Sequence, residues 1–106
     1  MSNVVLILTT VPTQELADKI AKTLIEEHLA ACVNVIPGLT SYYQWKGELF
    51  AEHEVQLVIK TSEVHCSEIE HRFKELHPYE LPEFLVVAVR GGSDAYLKWV
   101  RGETQK

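Results

Sequence analysis

Val4 to Thr10 is an unbroken β-branched and apolar run, VVLILTT, too short for a helix and closed by Pro12. A run of that kind reads as a strand buried on both faces or central in its sheet. The period then changes. Leu16, Ile20 and Leu24 recur every fourth residue with Ala17, Ala21 and Ile25 beside them, while Asp18, Lys19, Lys22, Glu26 and Glu27 fill the other face. This spacing predicts an amphipathic helix of about three to four turns. Thr13 is placed to cap it, and Glu15 suits the positive end of its dipole.

Cys32 to Ile36 predicts a second strand, interrupted at Pro37-Gly38. Proline cannot donate to a ladder, so this point is a bulge, a bend or an edge. Leu39 to Trp45 resumes the extended pattern, with Ser41, Tyr43 and Trp45 on one face and Thr40, Tyr42 and Gln44 on the other. Lys46-Gly47-Glu48 is a turn signal. Glu54 to Lys60 alternates, Val55, Leu57 and Ile59 facing one way. The second and third strands therefore form one long hairpin, longer than the core of one subunit requires.

Ser62 is placed to cap the next helix, in which Cys66, Ile69, Phe73 and Leu76 form a continuous stripe. Glu68 with Arg72 and Glu70 with Lys74 are ordered i, i+4 pairs on its outside. Pro78 disfavours helix at His77 and ends it. Phe84 to Val89 predicts a fourth strand, Gly91-Gly92 breaks it, and Ser93 caps a short helix carrying Tyr96, Leu97 and Val100 with Trp99 beside them. The order β-α-β-β-α-β plus a terminal helix gives an α+β, ferredoxin-like sandwich. Right-handed crossovers put both main helices on one face. The sheet is expected to be antiparallel, with the first strand between the third and fourth. The second and fourth strands are then exposed edges, and a long, aromatic edge invites pairing with another subunit. Homo-oligomerisation follows as an expectation.

Composition narrows the function classes. The 106 residues suit a single domain over 1–106, and 46% are hydrophobic, a globular fraction. The formal net charge of −5 argues against nucleic acid as a partner, since phosphate binding needs a basic patch. No apolar run approaches the roughly 20 residues that span a bilayer, so no membrane partner is expected. Met1-Ser2-Asn3 leads straight into the first strand without a basic leader or small-residue cleavage site. The two cysteines, Cys32 and Cys66, make no C-x-x-C pair. The expected compartment is the cytoplasm, with both thiols reduced.

Several stretches taken together carry a resemblance. They are Leu29-Ala30-Ala31-Cys32-Val33-Asn34 running to Pro37-Gly38, Ser41-Tyr42-Tyr43-Gln44-Trp45-Lys46-Gly47-Glu48, Lys60-Thr61, Leu76-His77-Pro78-Tyr79 with Pro82-Glu83, and Tyr96-Leu97-Lys98-Trp99. In this order and spacing the chain resembles the CutA family from about Val4 to Trp99. The resemblance implies a ferredoxin-like fold in a PII-like homotrimer whose extended hairpins join neighbouring sheets. It implies a role in tolerance or response to divalent metal ions, copper foremost, and no enzymatic reaction. Copper or another divalent cation is thus the implied cofactor. Copper-binding members resemble this chain at Thr9 and at Leu76 with His77, where they carry a cysteine and a His-His pair; only His77 keeps a ligand-type side chain here.

The implied metal candidates are therefore His77 and Cys32, the latter at the start of the second strand near the subunit junction. Cys32 reads more readily as buried packing, and Cys66 belongs to the apolar stripe. A second cluster combines Lys60, His77, Tyr79 and Glu83, which a ferredoxin-like sheet can bring towards one end, beside Tyr43 and Trp45 of a neighbouring subunit. That set can bind an anion or small ligand between subunits; alternatively Lys60 pairs with Glu83 while Tyr79 and Trp45 seal the trimer. An acylphosphatase on this fold would need an arginine and a phosphate cradle after the first strand, and Thr9-Thr10-Val11-Pro12-Thr13 offers neither. An RNA-binding module would need aromatics on the central strands and a basic surface. The reading is a metal-responsive or small-ligand-binding trimer, with a homotrimeric scaffold lacking a physiological metal site as its alternative.

Overall fold

Alternate residues of the first strand decide the architecture. In β1 (Val4–Val11) the side chains of Val5, Ile7, Thr9 and Val11 are fully buried, while Leu6 and Leu8 on the other face are half-buried. The computed structural model describes residues 3–105; Met1 and Ser2, in the segment read as lacking a leader, and Lys106 lie outside them. β1 pairs antiparallel with β3 (Glu48–Ser62) and β4 (Leu85–Ala88), and β2 (Cys32–Trp45) pairs antiparallel with β3. The sheet order β2-β3-β1-β4 is the expected one, with β1 inside and β2 and β4 at the edges.

Two helices cover one face. Ala17, Ile20 and Leu24 of α1 (Gln14–Glu26) and Ile69 and Phe73 of α2 (Cys66–Leu76) pack on Val5, Ile7, Val11, Leu57 and Ile59. Thr13 caps α1 by accepting the Leu16 N–H at 3.1 Å. At its other end His28, with φ of 57°, supplies the left-handed residue, and the Leu29 amide bonds back to the Leu24 carbonyl at 2.9 Å. Arg72 of α2 reaches Glu27 at the end of α1 and also Glu75, so it ties the two helices together. Ser62 does not cap α2 as expected. A 3₁₀ turn, Glu63–His65, intervenes, and the Ser62 hydroxyl instead bonds Thr104 at 2.8 Å beneath α3 (Asp94–Glu103).

The hairpin overhangs the rest of the sheet. Pairing of β1 with β3 ends at Val11 opposite Val55, so Glu48–Glu54 pair only with Leu39–Trp45. That ribbon extends roughly 20 Å beyond β1. It explains the principal extents of 45 × 26 × 23 Å. At the tip Lys46 (φ 51°) and Gly47 (φ 84°) both adopt positive φ, as a two-residue type I′ turn requires.

Pro37-Gly38 is a bulge. Ile36 lies opposite Gln56, but Leu39 lies opposite Glu54, so β2 carries one extra residue here, with Gly38 at φ 83°. The insertion reverses the alternation of everything beyond it. Before the bulge, even-numbered residues of β2 share a face with Gln56 and Val58. After it, odd-numbered Ser41, Tyr43 and Trp45 share that face with Glu54 and Glu52.

Candidate functional site

The bulge, the ribbon and the loop after α2 together make a cleft. Its volume is about 670 Å³. One wall is the ribbon, with Ser41, Tyr42, Tyr43 and Trp45 of β2 and Glu54 of β3; the other is the segment from Pro78 to Leu81 and Glu83, with Thr10 at the floor. The loop is pinned at three points, two on β1 and one on the ribbon. The Thr9 hydroxyl donates to the Glu83 carbonyl at 2.5 Å. His77 Nε2 lies 2.8 Å from the Thr10 carbonyl. The Tyr79 hydroxyl donates to Glu54 Oε2 at 2.9 Å.

His77 explains the shape of the loop. It is 8% exposed, its ring is tilted against Phe73 (4.7 Å) and Tyr79 (4.6 Å), and the Tyr79 N–H donates to its Nδ1 at 3.1 Å. With Nδ1 accepting, Nε2 carries the proton and donates to Thr10. Both ring nitrogens are thus engaged, and the imidazole fastens the loop to the end of β1. Phe84 packs on Phe73 from the far end of the same loop, 5.9 Å between centroids.

The electrostatics of the cleft are acidic. Glu54 is 7% exposed. Burial, and next the charge of Glu54, hold the Glu83 carboxyl above the ordinary carboxylate range. Burial, then the hydrogen bond and charge of Glu54, push the Tyr79 phenol far up. Tyr43 is raised by desolvation and then by Glu52 and Glu54. Each shift has the same sign of cause, negative charge in a partly dry recess.

Of the residues expected at a cleft, Tyr43, Trp45, Tyr79 and Glu83 of the same chain line this one. Lys60 does not join them. It lies opposite Leu6 and Cys32, six positions from Glu54 along β3 and so about 20 Å away, with its ammonium 5.7 Å from the Tyr96 ring centroid. Cys32 shares that remote end with Lys60, so Cys32 and His77 are not brought together. Glu54 and Thr10 were missed. A glutamate within an alternating strand reads as a solvated position, and only the loop after α2, reaching it through Tyr79, makes it part of a cleft.

The donor set does not compose a resident copper centre at the expected residues. A cuprous site wants thiolate or several imidazoles. His77 has both nitrogens occupied, Cys32 is at the other end of the sheet, and no group of three or more His, Cys, Asp or Glu side chains among the described residues is disposed to hold a metal ion.

A four-stranded antiparallel sheet with two helices on one face and an overhanging hairpin defines the class as a small α+β protein of ferredoxin-like fold. Residues 5–103 match the family described as CutA1 divalent ion tolerance protein, and the chain belongs to that family. It is 47% identical over 98 residues to the divalent-cation tolerance protein CutA of Thermus thermophilus, covering 92% of this chain and 95% of that one. A solved structure of the Thermus thermophilus divalent cation tolerance protein superposes with a TM-score of 0.93 at 44% identity, covering 96% of this chain and 99% of that one. The chloroplastic CutA of Arabidopsis thaliana is 36% identical over 101 residues, 95% of this chain and 56% of that protein.

Proposed function

We propose that this protein acts in divalent-cation tolerance as a non-catalytic homotrimer, and that its aromatic cleft is the place where a small ligand is read. The observation that carries the role is the family match over 5–103. The cleft supports the ligand reading, being of a size usual for small-molecule sites, about 300–1,000 Å³, and formed from one chain.

Trimer formation is supported by what the single chain leaves uncovered. β4 is an edge strand whose Leu85, Val86 and Val87 are all exposed, and the ribbon has a free edge of its own. Exposed apolar edges of this kind call for a partner strand or sheet. The unpaired, half-exposed thiols of Cys32 and Cys66 suit a reducing compartment, and the cytoplasm is the proposed one. No helix among the described residues is long and apolar enough to cross a membrane. Copper and other divalent cations enter this reading as the ions tolerated, without a resident centre at His77 or Cys32. The alternative reading is a stable homotrimeric signalling or interaction scaffold of the PII-like type without a physiological metal site.

The test is growth of a bacterial host lacking its own relative, challenged with graded copper sulfate, with and without this chain. Light scattering on the purified protein accompanies it. Restored growth and a mass three times that of the chain are expected. Unchanged sensitivity would remove the tolerance role, and a monomer would remove the assembly.

A further inference from the structure

The cleft is charged in one sense only. Glu54, Glu80 and Glu83 line it, and no lysine or arginine is among the described residues that do. Glu54 is more than nine-tenths buried, and the neutral phenol of Tyr79 donates to it. Glu83 lines the same cleft, where burial and the charge of Glu54 raise its carboxyl. The rings of Tyr43, Trp45 and Tyr79 line it as well, and the face of an aromatic ring is the negative end of its quadrupole. An anion therefore meets carboxylates and no lysine or arginine among the described lining residues. A hard divalent ion asks for about six or more oxygen ligands, and no three-donor group is disposed for one among the described residues. Aromatic walls backed by carboxylates suit a large, weakly hydrated cation instead. The chain already uses this chemistry at the edge of the cleft, where the Lys46 ammonium lies 5.6 Å from the Trp45 centroid.

We infer that the cleft binds an organic ammonium ion, its charged head against Glu54 and Glu83 and its methyl or methylene groups on Tyr43, Trp45 and Tyr79. This rests on the cleft being a ligand site, as proposed above, and names the ligand's class. The lysine expected to make the cluster attractive to anions is at the far end of the sheet.

The experiment follows Trp45 emission in the assembled protein carrying Trp99→Phe, since Trp99 sits on α3 against Tyr96. Tetramethylammonium chloride and 1,4-diaminobutane dihydrochloride are titrated at constant ionic strength, with sodium acetate, magnesium chloride and butanol as comparisons. Saturable shifts with the two ammonium probes alone are expected, weakened roughly tenfold by Glu83→Gln. Glu83→Gln is checked for native circular dichroism and assembly mass, and Tyr43→Leu serves as a second variant that removes a ring instead of a charge. Equal binding of butanol, or unchanged affinity in Glu83→Gln and Tyr43→Leu, overturns the charge assignment. A saturable response to acetate or magnesium but not to ammonium also overturns it, while leaving the cleft a ligand site. Silence with every probe overturns the cleft reading itself.

Discussion

Replacing Tyr79 by phenylalanine removes one oxygen and tests how the cleft is held. The hydroxyl donates to Glu54 Oε2 at 2.9 Å, and Glu54 is 7% exposed. Hydrogen bonds to charged groups contribute about 1.5–3 kcal/mol, and a buried acceptor left unpaired costs more than an exposed one. Tyr79 is 36% exposed and borders an open cleft, so water can refill the vacated site. That argues for the low end, about 1.5 kcal/mol. In urea, with a slope of ~1.5 kcal/mol per molar, the unfolding midpoint falls by roughly 1 M. Protein concentration is held fixed, because assembly contributes to apparent stability. The same substitution is then made beside Glu54→Ala. With its acceptor gone, the hydroxyl is expected to matter by less than about 0.5 kcal/mol. Equal losses in the two backgrounds would refute the reasoning, because the hydroxyl would then be stabilising through something other than Glu54.

Further outcomes follow from the same geometry. Phe73→Ala opens the core beneath His77 and Phe84 and is expected to destabilise by about 3–5 kcal/mol; thermal melting checks it, and a loss under about 1 kcal/mol would contradict the packing assigned to this ring. Glu83 has its pKa raised in the folded state, so it favours folding when protonated, fully below the ordinary carboxylate pKa, and this contribution is lost as pH rises through the raised value. Glu83→Gln should therefore gain on the parent as pH is taken from about 4 to about 7, and a stability difference that stays flat with pH would deny the shift. The Cys66 thiol is raised by burial and by Glu63. In a Cys32→Ser background its alkylation by iodoacetamide at neutral pH should be slower than that of a free cysteine peptide and should recover in urea; equal native rates would show an open thiol.

The frame of this molecule was legible because its signals are local. The apolar run of β1, the four-residue spacing of α1, the Thr13 cap and the Lys46-Gly47 turn each declare themselves within a few residues, and strand order followed from connection rules. The site was legible only in part, because it depends on registers. Tyr43, Trp45, Tyr79 and Glu83 were named, yet Lys60 was grouped with them although it lies at the other end of β3. Which strand end a residue occupies needs the pairing of Lys60 with Leu6 and Cys32, and no short stretch of sequence carries that. Ser62 had the composition of a cap, but its hydroxyl was taken by Thr104, forty-two positions away. His77 looked like a ligand because its partners, the Thr10 carbonyl and the Tyr79 amide, are backbone groups invisible in side-chain patterns.

The bulge at Pro37-Gly38 works as a shim in the ribbon. Which side chains the ribbon turns to each side is fixed by its ladder to β3, which sets Leu39 opposite Glu54 and Ser41 opposite Glu52. Deleting one residue at the bulge would leave Ile36 opposite Gln56 and Leu39 opposite Glu54 in a plain ladder, so Tyr43 and Trp45 would keep their side. What the extra residue adds is bend and twist, so the shim sets the angle at which the overhang leans past β1, not which tyrosine it shows.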